Sequence, residues 1–351
     1  SFNIVLFVHS IRIGDKEIGD GNPCYFVAEI GGLFKNFDEG KRLIDSAIDI
    51  GIDAIKFQTL EAETITTKSN YFHLEVTGKI SQYDFFKQFE PTKELQKQIV
   101  EYAKDKGVTI FSAPSHIKDL EIMKELELPA YKIGSDLAHH IPLLIEVART
   151  GKPIILSTGM CNLEEIRESV HAILAAGNDQ LILLHCVSDY PAKIEESNLM
   201  AIPTMKKEFD VPVGYSDHTL GINTSFAAAI LGANIVEKHF KHPSNQSAPD
   251  DIHAITPEEF SKLIQNTRDA EKSKGNGIKI PTESEKKNMV ENRVSIISMK
   301  NIPKGTTITK DMIDIRRPGT GLAPKFFDEV IGRKAKENIP MESPITWNIL
   351  D

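Results

Sequence analysis

Residues 211–219 read VPVGYSDHT, and one unit later residues 234–240 read NIVEKHF. Each opens as a buried strand should, with Val211 and Val213 in the first and Ile235 and Val236 in the second. Each then ends in a charged cluster that carries a histidine, His218 or His239. Six more runs share the apolar part: YFVAEI, DAIKFQT, VTIFSAP, AYKIGS, PIILSTG and LILLHCV. They are short, rich in β-branched residues and apolar on both alternations, the pattern of parallel strands covered on both faces.

Amphipathic segments lie between the runs. NFDEGKRLIDSAIDIG (36–51) places Leu43, Ile44, Ala47 and Ile48 on one face and stops at Gly51. TKELQKQIVEYAKDKG (92–107) follows the same plan and stops at Gly107. NLEEIRESVHAILAAG (162–177) starts from an Asn162 cap, has Glu165 three residues on, and stops at Gly177. Strand then helix, about eight times over residues 25–272, predicts an α/β protein with a (β/α)8 TIM barrel. A doubly wound open sheet is the alternative, and the absence of G-x-G-x-x-G after the first strand argues against it.

Residues 1–24 suggest a small hairpin capping the barrel bottom. The segment 60–91 is long for a strand-to-helix loop and carries Tyr71, Phe72, His73, Tyr83, Phe85 and Phe86, which reads as a lid packed onto something. Residues 273–293 are polar and read as a linker. Beyond them IPKGTTITKDMI (302–313) and IPMESPITWNIL (339–350) share Ile-Pro and, at the same offset, Ile-Thr. That faint repeat predicts a small pseudo-symmetric β-rich domain over 294–351.

The 351 residues include 26% charged and 40% hydrophobic residues with a net charge of −9, an ordinary water-soluble composition. No long basic run is present, so nucleic acid is not an expected partner. The opening NIVLFVHSI is too short to span a bilayer and lacks a small-residue cleavage pattern. Ser1 in place of Met suggests processing or trimming. Cys24, Cys161 and Cys186 are odd in number and lack metal-ligand spacing, which suits a reducing compartment. A cytoplasmic protein without membrane contact is expected, with Cys186 as core filler.

In such a barrel the strand C-terminal ends surround one mouth. Those ends hold Glu29, Lys56, Gln58, Ser112, Lys132, Ser135, Ser157, Thr158, His185, Ser188, Ser216, Asp217, His218, Glu237, Lys238 and His239. Neighbouring strands lie about 4.8 Å apart, so His218 and His239, at matching positions of adjacent strands, could share one divalent ion. Separate hydrogen bonds for each ring are the plainer alternative. Lys56 and Lys132 interrupt apolar strands, and a buried ammonium needs a partner. Either each pairs with Glu29 or Glu237, or both line a cradle for an anion, with Ser135, Ser157 and the N–H groups of Gly134 and Gly159 as further donors. RRPGTGLAP (316–324) is either a solvated loop or a rigid mount for Arg316 or Arg317.

VAEIG, IKFQT, YKIGS, ILSTGM, LLHCVSDYP, GYSDHT, EKHF, APD and RRPGTGLAP occur here in the order in which they occur in the sialic acid synthases, and the chain resembles that family over nearly its whole length. The resemblance implies a TIM barrel followed by an antifreeze-like (SAF) domain. It implies an enzyme that condenses phosphoenolpyruvate with an N-acetylated amino sugar to make a nonulosonic acid. It implies His218 and His239 as ligands of a divalent metal, Mn2+ or Mg2+. Lys56, Lys132, Ser135, Ser157 and Ser216 match residues that hold phosphoenolpyruvate, with Ser188 in place of a phosphate-side Asn and Tyr190 in the matching YP loop. Glu29, Gln58 and Asp250 match groups facing the sugar or metal-bound water. Arg317 matches an arginine that the antifreeze-like domain of one subunit lends to the other, which implies a domain-swapped homodimer.

Departures gather on the sugar side. Leu33, Phe34, Lys35 and Asn36 stand where the family has Asn-His-x-Gly, Ala113-Pro114-Ser115 where it has Thr-Pro-Phe, and Leu137 where it has Glu. The implied acceptor is N-acetylmannosamine or a related 2,4-diacetamido hexose. A same-fold synthase for a different or phosphorylated sugar and a non-catalytic carbohydrate-binding or scaffold protein are the alternative readings.

Overall fold

The computed structural model describes residues 10–74, 78–245 and 248–351, and the chain divides into two units, Ser1–Lys274 and Gly275–Asp351. In the first unit eight parallel strands close into a barrel: β1 (Tyr25–Glu29), β2 (Ala54–Thr59), β3 (Thr109–Pro114), β4 (Tyr131–Ile133), β5 (Ile154–Ser157), β6 (Leu181–Cys186), β7 (Val213–Asp217) and β8 (Ile235–His239). They are neighbours in chain order, and β8 closes on β1 with His239 opposite Glu29. Each strand is followed by a helix: α1 (Phe37–Asp49), α2 (Lys93–Asp105), α3 (Leu120–Glu125), α4 (Ile141–Ala148), α5 (Leu163–Ala175), α6 (Ala201–Phe209), α7 (Asn223–Ile230) and α8 (Pro257–Ser273). The Asn162–Glu165 capping box opens α5, and Asn36 and Thr92 cap α1 and α2.

Alternation along the strands sorts two cores. Phe26, Ile55, Phe57, Ile133, Leu156, Leu183 and Val236 face outward and join the helix faces in one large cluster. Tyr25, Val27, Ala54, Phe111, Ala130, Ile155, Ile182, Leu184 and Ile235 face inward and fill the lower half of the barrel. Ile11, Ile13 and Ile18 belong to that inner cluster. They sit on a hairpin of strands Ile11–Ile13 and Lys16–Ile18. Lys16 ties that hairpin to Asp53, just before β2, at 2.5 Å. The apolar plug therefore lies at the N-terminal end of the barrel, and the charged inward residues lie at the C-terminal end. Residues 1–9 of the expected hairpin segment lie outside the described residues.

Within the 60–91 segment, strands Tyr71–Leu74 and Gly78–Ser81 pair antiparallel before a helix Gln82–Phe89. Phe72, Phe85, Phe86 and Phe89 pack on one another with ring centroids 5.3–5.9 Å apart. Residues 75–77, at the tip, lie outside the described residues.

In the second unit β9 (Ser295–Ser298) pairs antiparallel with β10 (Ile313–Arg316). The repeat has a structural meaning: Ile302 and Ile339, its two opening residues, bridge each other, and Ile308 and Ile345 from the two Ile-Thr pairs enter one core. Residues Glu283–Asn292, read from sequence as part of a linker, form a helix capped by Thr282 with none of its residues buried. Among the described residues no helix is long and apolar enough to cross a membrane.

Candidate active site

The alternation that fills the barrel bottom with aliphatic residues places polar ones two and four residues later. Glu29, Lys56, Lys132, Ser157, Ser216 and Glu237 all face inward, and none is more than 5% exposed. The Lys56 ammonium lies against Glu29 Oε2 and donates to Glu237 Oε1 at 2.8 Å. Lys132 lies 3.5 Å from the same Glu237 oxygen, and Ser216 Oγ donates to it at 3.3 Å. The pairing alternative for the lysines thus holds: Lys56 meets both carboxylates and Lys132 meets Glu237. Two cations and two carboxylates balance, as burial demands.

The pairing is uneven. Besides Glu237, Lys132 has one contact, a long 3.3 Å bond to the Ile133 carbonyl, so its three donors are poorly used. The buried Ser157 hydroxyl has no hydrogen-bond partner among the described residues. Next to it, Ser135 Oγ accepts the Gly159 N–H at 3.0 Å. A Cβ on Gly159 would sit 2.3 Å from Ser188 Oγ and 2.8 Å from Ser135 Oγ, so only glycine leaves this floor open. Burial lowers Lys56 to about 8, against the pull of Glu237. Burial would raise Glu237, but Lys132 and Lys56 outweigh it and hold the carboxyl near 2.

Imidazoles stand beside this charged layer. The rings of His218 and His239 have centroids 5.6 Å apart, and the Tyr190 ring lies 4.4 Å from His218. His218 Nδ1 donates to the Val187 carbonyl at 3.0 Å. That bond fixes the tautomer and leaves Nε2 as the lone-pair nitrogen, as a metal ligand requires. His239 Nδ1 is buried without a hydrogen-bond partner and lies 3.8 Å from Asp250 Oδ2. Burial, reinforced by His253 and His218, keeps His239 well below its ordinary value, so the ring is neutral at physiological pH. A third imidazole, His253, packs 4.5 Å from His239 and 5.8 Å from His218. Coordinating atoms of His239, Asp250 and His253 all fall within 4.8 Å of one another. Orphaned, neutral, buried nitrogens beside a carboxylate fit a divalent ion.

On the other side, Glu29 Oε1 accepts the Gly31 N–H at 2.5 Å. A Cβ on Gly31 would meet Glu29 Oε1 at 2.4 Å and Gln58 Cγ at 2.6 Å, and one on Gly32 would lie 3.4 Å from Asp250 Oδ2. Glu29, Gln58 and Asp250 therefore border one opening. Arg317 belongs to the second unit, where it is exposed and donates to Asn292 Oδ1 at 3.2 Å.

Four strand-end residues leave the mouth. Ser112 and His185 face the helix layer, bonded to the Phe57 and Ser197 carbonyls. Asp217 and Lys238 pair at 2.9 Å, both fully buried, behind the strands. Cys186, expected as core filler, is buried and faces inward, 3.7 Å from His218 Nδ1. Leu33 and Phe34 are buried in the outer core. Sequence named Glu237 only as a possible partner of the lysines and did not assign His253. Glu237 was among the strand ends, whereas His253 is on the β8–α8 loop, its one signal being a histidine inside the acidic turn PDDIHAIT.

The family profile described as NeuB matches residues 43–279, and the SAF domain profile matches residues 293–350. A protein of Methanocaldococcus jannaschii, named as uncharacterized, is 40% identical over 98% of this chain and 99% of its own. The N,N'-diacetyllegionaminic acid synthase of Legionella pneumophila is 34% identical over 96% of this chain and 98% of its own. Among solved structures, the N-acetylneuraminic acid synthetase of Leptospira borgpetersenii superimposes with a TM-score of 0.72 at 31% identity, covering 80% of this chain and 95% of that one.

Proposed function

This chain belongs to the NeuB family, and on that premise we propose that it condenses phosphoenolpyruvate with an N-acetylated amino sugar, releasing a nonulosonic acid and phosphate. The observation that carries the reading is the adjacency of two buried cations, Lys132 among them poorly paired, to a set of orphaned imidazoles in one barrel mouth. The preferred acceptor is a 2,4-diacetamido hexose of the mannose type, supported by the Legionella relative.

In this reading Lys132, Ser135, Ser157, Ser188 and Ser216 hold phosphoenolpyruvate together with Lys56. Glu237 keeps the two ammonium groups in place before the anion arrives, and phosphate and carboxylate oxygens then complete their donors. His218 and His239 hold Mn2+ or Mg2+, which when bound supplies Lewis-acid polarisation of the sugar's open-chain aldehyde. C3 of phosphoenolpyruvate forms the new bond to that aldehyde carbon, and positive charge develops at C2. Water adds at C2, and the resulting tetrahedral carbon loses phosphate by C–O cleavage. Fixed lysines and hydroxyls stabilise the departing anion without reorganising. Glu29, anchored by the Gly31 N–H and Lys56, faces the sugar side with Gln58, Asp250 and Tyr190. Arg317 is lent by the SAF domain of a second subunit in a domain-swapped homodimer, and the setting is cytoplasmic.

Purified protein supplied with Mn2+, phosphoenolpyruvate and a panel of N-acetylmannosamine and 2,4-diacetamido sugars should release phosphate, fastest with a diacetamido acceptor. No release with any acceptor would overturn the function, and release with N-acetylmannosamine alone would overturn the acceptor.

A further inference from the structure

His253 has no role in the roles assigned above, yet its surroundings are those of a ligand. The ring is 1% exposed, and among the described residues neither nitrogen has a hydrogen-bond partner. A neutral imidazole carries one donor and one acceptor, and leaving either unpaired in a buried site is costly. The chain nevertheless holds this ring firmly in place. Ile255 N donates to the His239 carbonyl at 2.9 Å, Ala254 N to the Asp250 carbonyl at 3.1 Å, and Lys241 Nζ to the Asp251 carbonyl at 2.6 Å. Phe240 and Ile255 form a parallel bridge, so the loop is sewn to the end of β8 on either side of the ring.

The ring also points at the right neighbours. His253 Nε2 lies 3.9 Å from Asp250 Oδ1, while His239 Nδ1 lies 3.8 Å from Asp250 Oδ2. One carboxylate thus faces an orphaned nitrogen with each oxygen. His218 completes a triangle of rings with centroid separations of 4.5, 5.6 and 5.8 Å.

We propose that His253 is a third imidazole ligand of the ion held by His218 and His239, and that this nitrogen-rich set, with Asp250 beside it, selects a transition-metal ion over Mg2+. Imidazole nitrogen suits Co2+, Zn2+ and similar ions, whereas Mg2+ prefers carboxylate, phosphate and water oxygens and gives up its water reluctantly. Two histidines with waters leave the choice between Mn2+ and Mg2+ open; a third nitrogen tilts it. The inference rests on the proposed function only in taking the mouth as a metal site.

The test is metal binding by the full chain after EDTA treatment. Co2+ titration followed by visible absorption gives the affinity, and X-ray absorption fine structure counts the imidazoles. Wild type should show three imidazoles and bind Co2+ far more tightly than Mg2+. His253→Ala should show two and lose about 10–100-fold in Co2+ affinity, with its Mg2+ affinity changed less than about twofold. Two imidazoles in wild type, or unchanged Co2+ affinity in the variant, overturns the proposal. If the variant fails to fold, the count in wild type decides alone. Wild type that releases phosphate from phosphoenolpyruvate yet shows two imidazoles refutes the third ligand and leaves the function standing. Wild type that binds no divalent ion refutes both the third ligand and the metal-dependent mechanism.

Discussion

Replacing Lys238 with Met tests which face of β8 carries chemistry. The ammonium donates to Asp217 Oδ2 at 2.9 Å and to the Thr219 carbonyl at 2.7 Å, with both charged side chains 0% exposed. Met keeps most of the stem's volume and removes the charge. Breaking one partner of a buried pair costs about 3–5 kcal/mol, because the other charge stays behind. Here the lower end applies: Asp217 keeps bonds from Thr219 N and Oγ1, Thr224 Oγ1 and Ser225 Oγ at 2.5–3.0 Å. The expected loss is about 3 kcal/mol, on the order of 4–5 °C in Tm for a chain of this size. The pH dependence has a definite sign. Burial would raise the Asp217 carboxyl, but Lys238 and Ser225 outweigh it and hold it below its ordinary value. In wild type this stabilisation is present above the carboxyl's unfolded value and lost as pH falls through the folded one. Without Lys238 the burial effect remains, the folded value rises, and keeping the carboxylate ionised becomes costly near neutrality. The gap between wild type and variant should therefore be widest near pH 7 and narrow in acid. Denaturant melts at pH 7 and pH 5, with Asp217→Asn completing a double-mutant cycle, measure it. Metal affinity should not change. A stability loss under about 1 kcal/mol, or loss of metal binding with unchanged stability, would refute the outward placement of Lys238.

The interior face makes different demands. His239→Ala should abolish both Mn2+ binding, read by calorimetry, and metal-dependent phosphate release; retained binding would refute its ligand role. Lys132→Met should raise the KM for phosphoenolpyruvate by roughly 10–100-fold, the worth of one charged hydrogen bond, and also lower stability, since it leaves the buried carboxylates short of one balancing charge; steady-state kinetics and a thermal melt separate the two effects. Arg317→Ala should weaken use of the amino sugar more than binding of phosphoenolpyruvate. Mixed with His239→Ala protein, it should regain part of the activity; no recovery after subunit exchange would refute sharing of sites.

Chain-local features were legible in the sequence. The helices at 37–49, 93–105 and 163–175 follow from apolar spacing, caps and terminal glycines. The strands follow from short β-branched runs. The Ile-Pro repeat announced a two-fold β unit, and the structure bridges its two isoleucines. The helix Glu283–Asn292 within the polar run before it was not legible, because it is opened by its Thr282 cap and buries no apolar face, so it leaves no hydrophobic period to read.

By itself the sequence determined the barrel, its strand order and the identity of the mouth, because alternating burial and helix periodicity are written residue by residue. Only the tertiary structure decided how the charged clusters at 216–218 and 237–239 divide. Side chains in a strand point alternately to opposite faces, and closure of the sheet makes one face the cavity and the other the helix layer. Ser216, His218, Glu237 and His239 thus turn inward, while Asp217 and Lys238 neutralise each other outside. Closure also brought in His253, whose nearness to His239 depends on a loop folding back along β8 through backbone bonds that no side-chain pattern encodes.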